Sequence, residues 1–285
     1  MSVLIKRNLR LFFRDKSAVL FSLLAIFIII ALYAVFLGDV WLTDSMKDIK
    51  NADFLMNTWL VAGLLAVASV TTTMGAFGVM IDDKIKKINK DFYSAPIKRS
   101  RITVGYIGSV FIIGIIMSFI TIIVSEVYIV FCGGEWLTPL ALVKALLLVI
   151  FTTMTNSSIV CFIVSFFKSQ SAFGTASTII GTLIGFLTGI YLPIGALPES
   201  VQTVIKLFPV SHAASLLREV LMADAMHTAF AGIPASYLED FKAYMGVTYY
   251  FGSTEVSPLL SIIILVVTAA VFYGLSLLNM SKRSK

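Results

Sequence analysis

Apolar positions along this chain fill whole blocks instead of alternating with polar ones or marking one side of a helix. Six blocks, over residues 17–38, 54–81, 102–131, 139–167, 169–198 and 256–281, are uncharged or nearly so. Each matches or exceeds the roughly 20 helical residues that cross a hydrocarbon core of ~30 Å. A strand of a membrane barrel would be about ten residues long with alternating polarity, whereas these blocks are apolar all round. They predict six transmembrane helices. The first block is longer than the apolar part of a secretory signal, and no small-residue cleavage pattern follows it, so it reads as a retained span.

Between the blocks the pattern becomes one-sided. Residues 2–16 put Ile5, Leu9, Phe12 and Phe13 on one helical face and Lys6, Arg7, Arg10 and Arg14 on the other, which predicts an amphipathic helix lying in the membrane interface. In residues 82–101, Ile85, Ile88 and Phe92 recur at i, i+3 and i+7 on a basic background, the stripe of a short helix that wants a partner. Val201, Val204, Ile205 and Phe208 repeat the helical period, Pro209 stops that helix, and Ser211 is placed to cap a second one through Leu221. Two short apolar helices directly after a span predict re-entrant or interface-lying elements. Lys168 and its neighbours leave barely a turn, which predicts spans four and five as antiparallel neighbours. Residues 39–53 form a short acidic loop, and 223–257 are polar, with Tyr237, Tyr244, Tyr249 and Tyr250 and no assignable chemistry.

Composition agrees with the blocks. Apolar residues make up 58% of the 285 and charged residues 13%, with mean hydropathy +0.95, far from a soluble domain. With both termini inside, sixteen of the 22 Lys and Arg residues fall on inner segments, seven of them in 82–101. This is the expected asymmetry of a multi-pass membrane protein. The net charge of +6 then reflects topology and anionic headgroups, and nucleic-acid binding is a poor reading.

Little in the chain suggests catalysis. His212 and His227 are the two histidines, and Ser211 beside His212 points about 100° away on a helix, so capping or local hydrogen bonding is expected there and not a nucleophile and base. There is no Walker A pattern, dinucleotide fingerprint or zinc motif, so no cofactor or metal is assigned to the chain. Cys132 and Cys161 lack redox or metal spacing and read as buried thiols. Glu126 and Lys144 are the ionisable residues in spans; they either reach the outer interface, pair with each other, or serve ion coupling. Gly181, Gly185 and Gly189 form a ridge at a spacing of four, for close helix packing or for a pathway. Thr71, Thr72, Thr73, Thr182 and Thr188 offer hydroxyls that face a pathway or bond back to their own helices.

The order of parts resembles the permease subunit of ABC-2 type exporters: a basic amphipathic helix, six spans, a basic inner loop between spans two and three, and paired outer helices between spans five and six. Asp82-Asp83-Lys84-Ile85-Lys86-Lys87-Ile88 through Ser94-Ala95-Pro96-Ile97-Lys98-Arg99 is similar to the family's coupling-helix loop. Leu192-Pro193-Ile194, Leu197-Pro198, Phe208-Pro209 and Leu217-Arg218 are similar to its end of span five and outer re-entrant helices. The loop departs from the pattern in its Asp82, Asp83 and lysine run, and 223–257 is longer than in compact drug exporters.

The resemblance implies one all-α ABC-2 type transmembrane domain over 1–285. It implies a membrane subunit without its own ATPase site, which dimerises with itself or a related permease and rests on a separate ATP-binding subunit that holds ATP and Mg. It further implies Lys84, Ile85, Lys87, Ile88, Phe92, Tyr93 and Pro96 at the ATPase-coupling interface, with Lys86 and Lys90 on its rim. Thr72, Gly181, Gly185, Thr188 and Gly189 then serve the pathway or dimer packing, and Pro193, Pro198, Pro209 and Arg218 shape the outer helices. The expected function is export of a hydrophobic or amphipathic drug, antibiotic, peptide or lipid-linked molecule across a prokaryotic plasma membrane, with both termini cytoplasmic. An ion-coupled transporter, and a non-transporting receptor or scaffold, are the alternatives.

Overall fold

A computed structural model describes residues 2–33 and 51–282; the predicted acidic loop lies almost wholly outside the described residues. Helix α1 (Ser2–Arg14) meets α2 (Lys16–Leu32) at a bend of 73°. Asp15 at the bend accepts the Ala18 amide at 3.0 Å and so starts α2. Then come α3 (Ala52–Ile85), the short α4 (Ile88–Ser94), α5 (Arg99–Phe131), α6 (Pro139–Ser165) and α7 (Gln170–Leu187). A 3₁₀ turn (Ile194–Ala196) leads to α8 (Glu199–Leu207), α9 (Pro209–Leu221), α10 (Ala223–Ala229) and α11 (Ala235–Met245). The hairpin β1 (Tyr250–Phe251) and β2 (Thr254–Glu255) precedes α12 (Pro258–Lys282). Five of these helices are long and apolar enough to cross a membrane, and the bent α1–α2 pair brings the number to six.

Helix α3 is the axis of the bundle. Its apolar stretch is 78% buried inside the protein, against 17% for α7 and 22% for α12, so those two helices keep apolar faces for lipid or another chain. Small residues set the crossings: a Cβ on Gly114 of α5 would strike Thr153 of α6 at 2.5 Å, and helices approach closely where there is none. Polar pins tie α6 to α3 and α12, Asn156 Nδ2 donating to Ser69 Oγ at 2.5 Å and Thr155 Oγ1 to the Leu265 carbonyl at 2.9 Å.

Three expectations change. Helix α7 packs along α3 and not along α6, because the extended Ser169 carries the chain away from α6. It also ends at Leu187, well short of 198, since Gly189 takes φ +68°, the left-handed conformation that closes a helix. Cys161 is buried as expected, while Cys132, at the end of α5, is exposed.

Candidate functional site

The basic end of the bundle gathers α1, the end of α3, α4 and the start of α5. Leu4 and Ile5 lie against Gly105 and Gly108, where a Cβ would come within 2.6 and 3.2 Å of them. Phe12 is buried. Leu4 and Ile5 of α1 thus pack on α5, while Phe12 lines a cleft beside α3.

Arg7 leaves the charged face on which the helical pattern put it. Its two terminal nitrogens reach the two oxygens of Asp83, each at 2.7 Å, and Tyr106 Oη donates to Asp83 Oδ2 at 2.6 Å. Bidentate, charge-assisted contacts of this kind are among the stronger polar ones. The bond to Asp83 raises the Arg7 pKa further above its ordinary value. The guanidinium also lies 5.4 Å from the centre of the Phe92 ring, and the neighbouring Asn8 donates to Ser109 Oγ at 3.0 Å. One side chain of α1 thus touches both α3 and α4.

The expected stripe does not form on one helix. Helix α3 runs on to Ile85, and Lys87 takes φ +61° before α4 begins. A left-handed lysine breaks the period, so Ile85 and Phe92 belong to different helices. Ile85 and Ile97 are 44% and 48% exposed, and Lys87, Lys90 and Pro96 are exposed as well. Lys86 is exposed and pairs with Asp82 at 3.4 Å. Ile88 is half-buried and lines a cleft against α1, while Phe92 packs inward beneath Arg7. Lys84 is half-buried, and the Tyr93 side chain lies outside what the structure describes.

At the opposite end, α9 is buried along most of its length. Phe208 is extended, Pro209 occupies the first turn of α9, and the proline's fixed φ suits that position. Ser211 is consequently inside α9, not its cap. It donates back to the carbonyls of Ile205 and Phe208, tying α9 to α8. Pro193 and Pro198 likewise precede the 3₁₀ turn and α8. His212 Nε2 lies 2.8 Å from the Lys206 carbonyl, which can only accept, so Nε2 carries the proton and Nδ1 accepts from Ser261 Oγ at 3.0 Å. Burial lowers the His212 pKa. Ser211 and His212 are thus engaged separately, which fits local hydrogen bonding.

Arg218 is the most unusual residue of this end. It is 1% exposed, and among the described residues no carboxylate pairs with it. Its NH2 donates to the carbonyls of Thr188 at 2.8 Å and Gly189 at 3.2 Å, and its NH1 to Gly246 at 3.4 Å. These carbonyls belong to the C-terminal ends of α7 and α11, where the helix dipoles are negative. Two helix ends thus take the place of a counter-ion. Trp59 completes the cage, its ring centre 4.8 Å from the guanidinium and its Nε1 donating to the Met245 carbonyl at 2.9 Å. Burial lowers the Arg218 pKa to about 10, which leaves it charged at neutral pH.

The glycine ridge separates into three environments. A Cβ on Gly181 would meet nothing within 4 Å, Gly185 is covered by the chain's own Tyr191 ring, and Gly189 caps α7. Thr188 is buried and bonds back to the Ile184 carbonyl at 2.9 Å; Thr71, Thr73 and Thr182 bond back similarly. Thr72 is buried within α3. Glu126 is 7% exposed and accepts the Leu137 amide at 3.0 Å, facing a cavity of about 290 Å³, while Lys144 is exposed. Sequence reasoning missed Arg7, Asp83, Tyr106 and Trp59; an acidic residue at the end of a span and a tryptophan within one were the available signals.

A family model described as ABC-2 type transporter matches residues 1–222. The linearmycin resistance permease protein LnrN of Bacillus subtilis (strain 168) is 26% identical over 191 residues, which are 67% of this chain and 47% of that protein. The chain therefore spans about half the length of that relative.

Proposed function

The chain belongs to the ABC-2 type transporter family, and from that premise we propose that it is the membrane subunit of an ATP-driven exporter whose ATP is hydrolysed by a separate subunit. In this reading the basic end faces the cytoplasm, both termini lie there, and α8 and α9 form the outer re-entrant pair. The observation that carries it is the junction of α4: a short helix set off by Lys87, with Ile85, Lys87 and Ile97 exposed on its flanks and Lys90 exposed on it, while Phe92 anchors it under Arg7. The outward residues dock the ATP-binding subunit. The inward ones pass its motion to α1, α3 and α5.

A dimer, with itself or a related permease, uses the uncovered apolar faces of α7 and α12. The substrate is a hydrophobic or amphipathic molecule, and the resistance function in the name of the B. subtilis relative supports an antibiotic. Inverted membrane vesicles containing the chain with and without a cognate ATP-binding subunit test this reading. Uptake that needs ATP and the second subunit supports it, and uptake driven by an ion gradient without that subunit refutes it.

Ion coupling is the second reading, and buried Glu126 is what favours it. Its carboxylate is already engaged by the Leu137 amide at the turn before α6, which suits a fastening of that turn. Glu126→Gln should then leave transport intact.

A further inference from the structure

A cleft of about 660 Å³ opens at the basic end between α1, α2, α3 and the start of α7. Its inner wall is apolar, built from Leu11, Phe12, Val79 and Phe173. Two glycines one turn apart on α3, Gly75 and Gly78, keep it open. A Cβ there would lie 3.6 Å from Ser22 Oγ and 3.8 Å from Phe173 Cε1, ordinary contact distances. Neither glycine is demanded by backbone conformation or by a tight crossing, yet glycine costs helix stability relative to alanine. What the pair provides is a slot along the helix.

The rim is charged and balanced. Arg7 and Asp83 satisfy each other within the wall, which leaves Arg14 and Lys86 against Asp15 and Asp82. Lys86 and Asp82 meet at 3.4 Å with side chains 65% and 47% exposed, a pair worth little in water and readily exchanged for other partners. An anionic headgroup would find two cations there but also two carboxylates. A headgroup with both charges matches all four, its phosphate toward Arg14 and Lys86 and its ammonium toward Asp82 and Asp15.

The geometry points to a binding site for a zwitterionic phospholipid, of the phosphatidylethanolamine type. One acyl chain lies in the slot over Gly75 and Gly78, against Phe12 and Phe173, and the headgroup rests on the charged rim. The lipid fills the angle of the α1–α2 bend.

The test is native mass spectrometry of the full chain, delipidated in detergent and offered equimolar dioleoyl phosphatidylethanolamine and dioleoyl phosphatidylglycerol. Wild type should retain the ethanolamine lipid over the glycerol lipid by about fivefold, the weight of one partly exposed ion pair. Asp82→Asn, on the rim and outside the core, should bring that ratio to about one. Gly75→Leu should fill the slot and remove retention of both lipids. Equal retention by wild type, preference for the glycerol lipid, retention of neither, or unchanged binding in Gly75→Leu would each overturn the assignment. Because Asp82→Asn disturbs no packing, it keeps the test decisive even if the leucine variant does not fold.

Discussion

The guanidinium of Arg218 lies 4.8 Å from the ring centre of Trp59, and Trp59 donates to the Met245 carbonyl next to the Gly246 carbonyl that Arg218 uses. Residues from α3, α7, α9 and α11 meet at this cage. Removing the arginine leaves several carbonyls without donors in a buried place. Arg218→Met should cost about 1–3 kcal/mol for each buried carbonyl left without a donor. Arg218→Lys should recover only part of it, because one ammonium cannot reach two helix ends as the planar fork does. Thermal unfolding in detergent reads both, and a lysine variant equal to wild type would contradict the cage.

His212 should make stability depend on pH. Its folded pKa is lowered by burial, so below about pH 6.5 the unfolded chain takes up a proton that the folded one resists. The unfolded state then binds more protons, and stability falls as pH drops from about 7 toward the folded pKa. His212→Gln should flatten that slope. Melting curves between about pH 5 and 8 with equal slopes for both proteins would rule His212 out as the source.

Arg7 and Asp83 should couple in a double-mutant cycle. Arg7→Met and Asp83→Asn, singly and together, are expected to show an interaction of roughly 1–2 kcal/mol, less than a buried pair because the arginine is partly exposed. The single variants should also lower transport per ATP hydrolysed, since the same side chain touches Phe92. Additive stabilities would show that α1 is not tied to α3 through this pair.

The glycines of α7 are separable by substitution. Gly181→Ala meets open space and should be neutral or stabilising by up to about 1 kcal/mol. Gly185→Ala must displace the Tyr191 ring, and Gly189→Ala must hold a left-handed residue at a cost of roughly 1–2 kcal/mol. If Gly181 instead lies against a partner's helix, Gly181→Ala should weaken dimerisation, which analytical ultracentrifugation would detect.

The spans were legible because each is a long block whose apolarity is independent of helix rotation. Rotation itself was not legible: in a helix as uniformly apolar as α3, no pattern distinguishes the side facing Gly114 from the side facing Phe173. Arg7 read as one more surface cation because its partner, Asp83, lies 76 positions away in sequence. The break at Lys87 was hidden for a different reason, since lysine gives no local signal for positive φ. The end of α7 could have been seen, because Gly189 followed by Pro193 is a stop signal inside an apolar run. Arg218 was marked by its motif, but its cage is assembled from carbonyls at the end of α7 and in 223–257, and the composition of neither stretch announces them.

The central claim is that the junction of α4 receives the ATP-binding subunit, and charge placed on its exposed apolar residues tests it most directly. In Ile85→Asp and Ile97→Asp, neither side chain is buried, so membrane insertion and melting should match wild type. Copurification of the ATP-binding subunit, measured together with ATP-driven uptake into inverted vesicles, should be lost in both variants. Full copurification and full ATP-driven uptake would contradict the account.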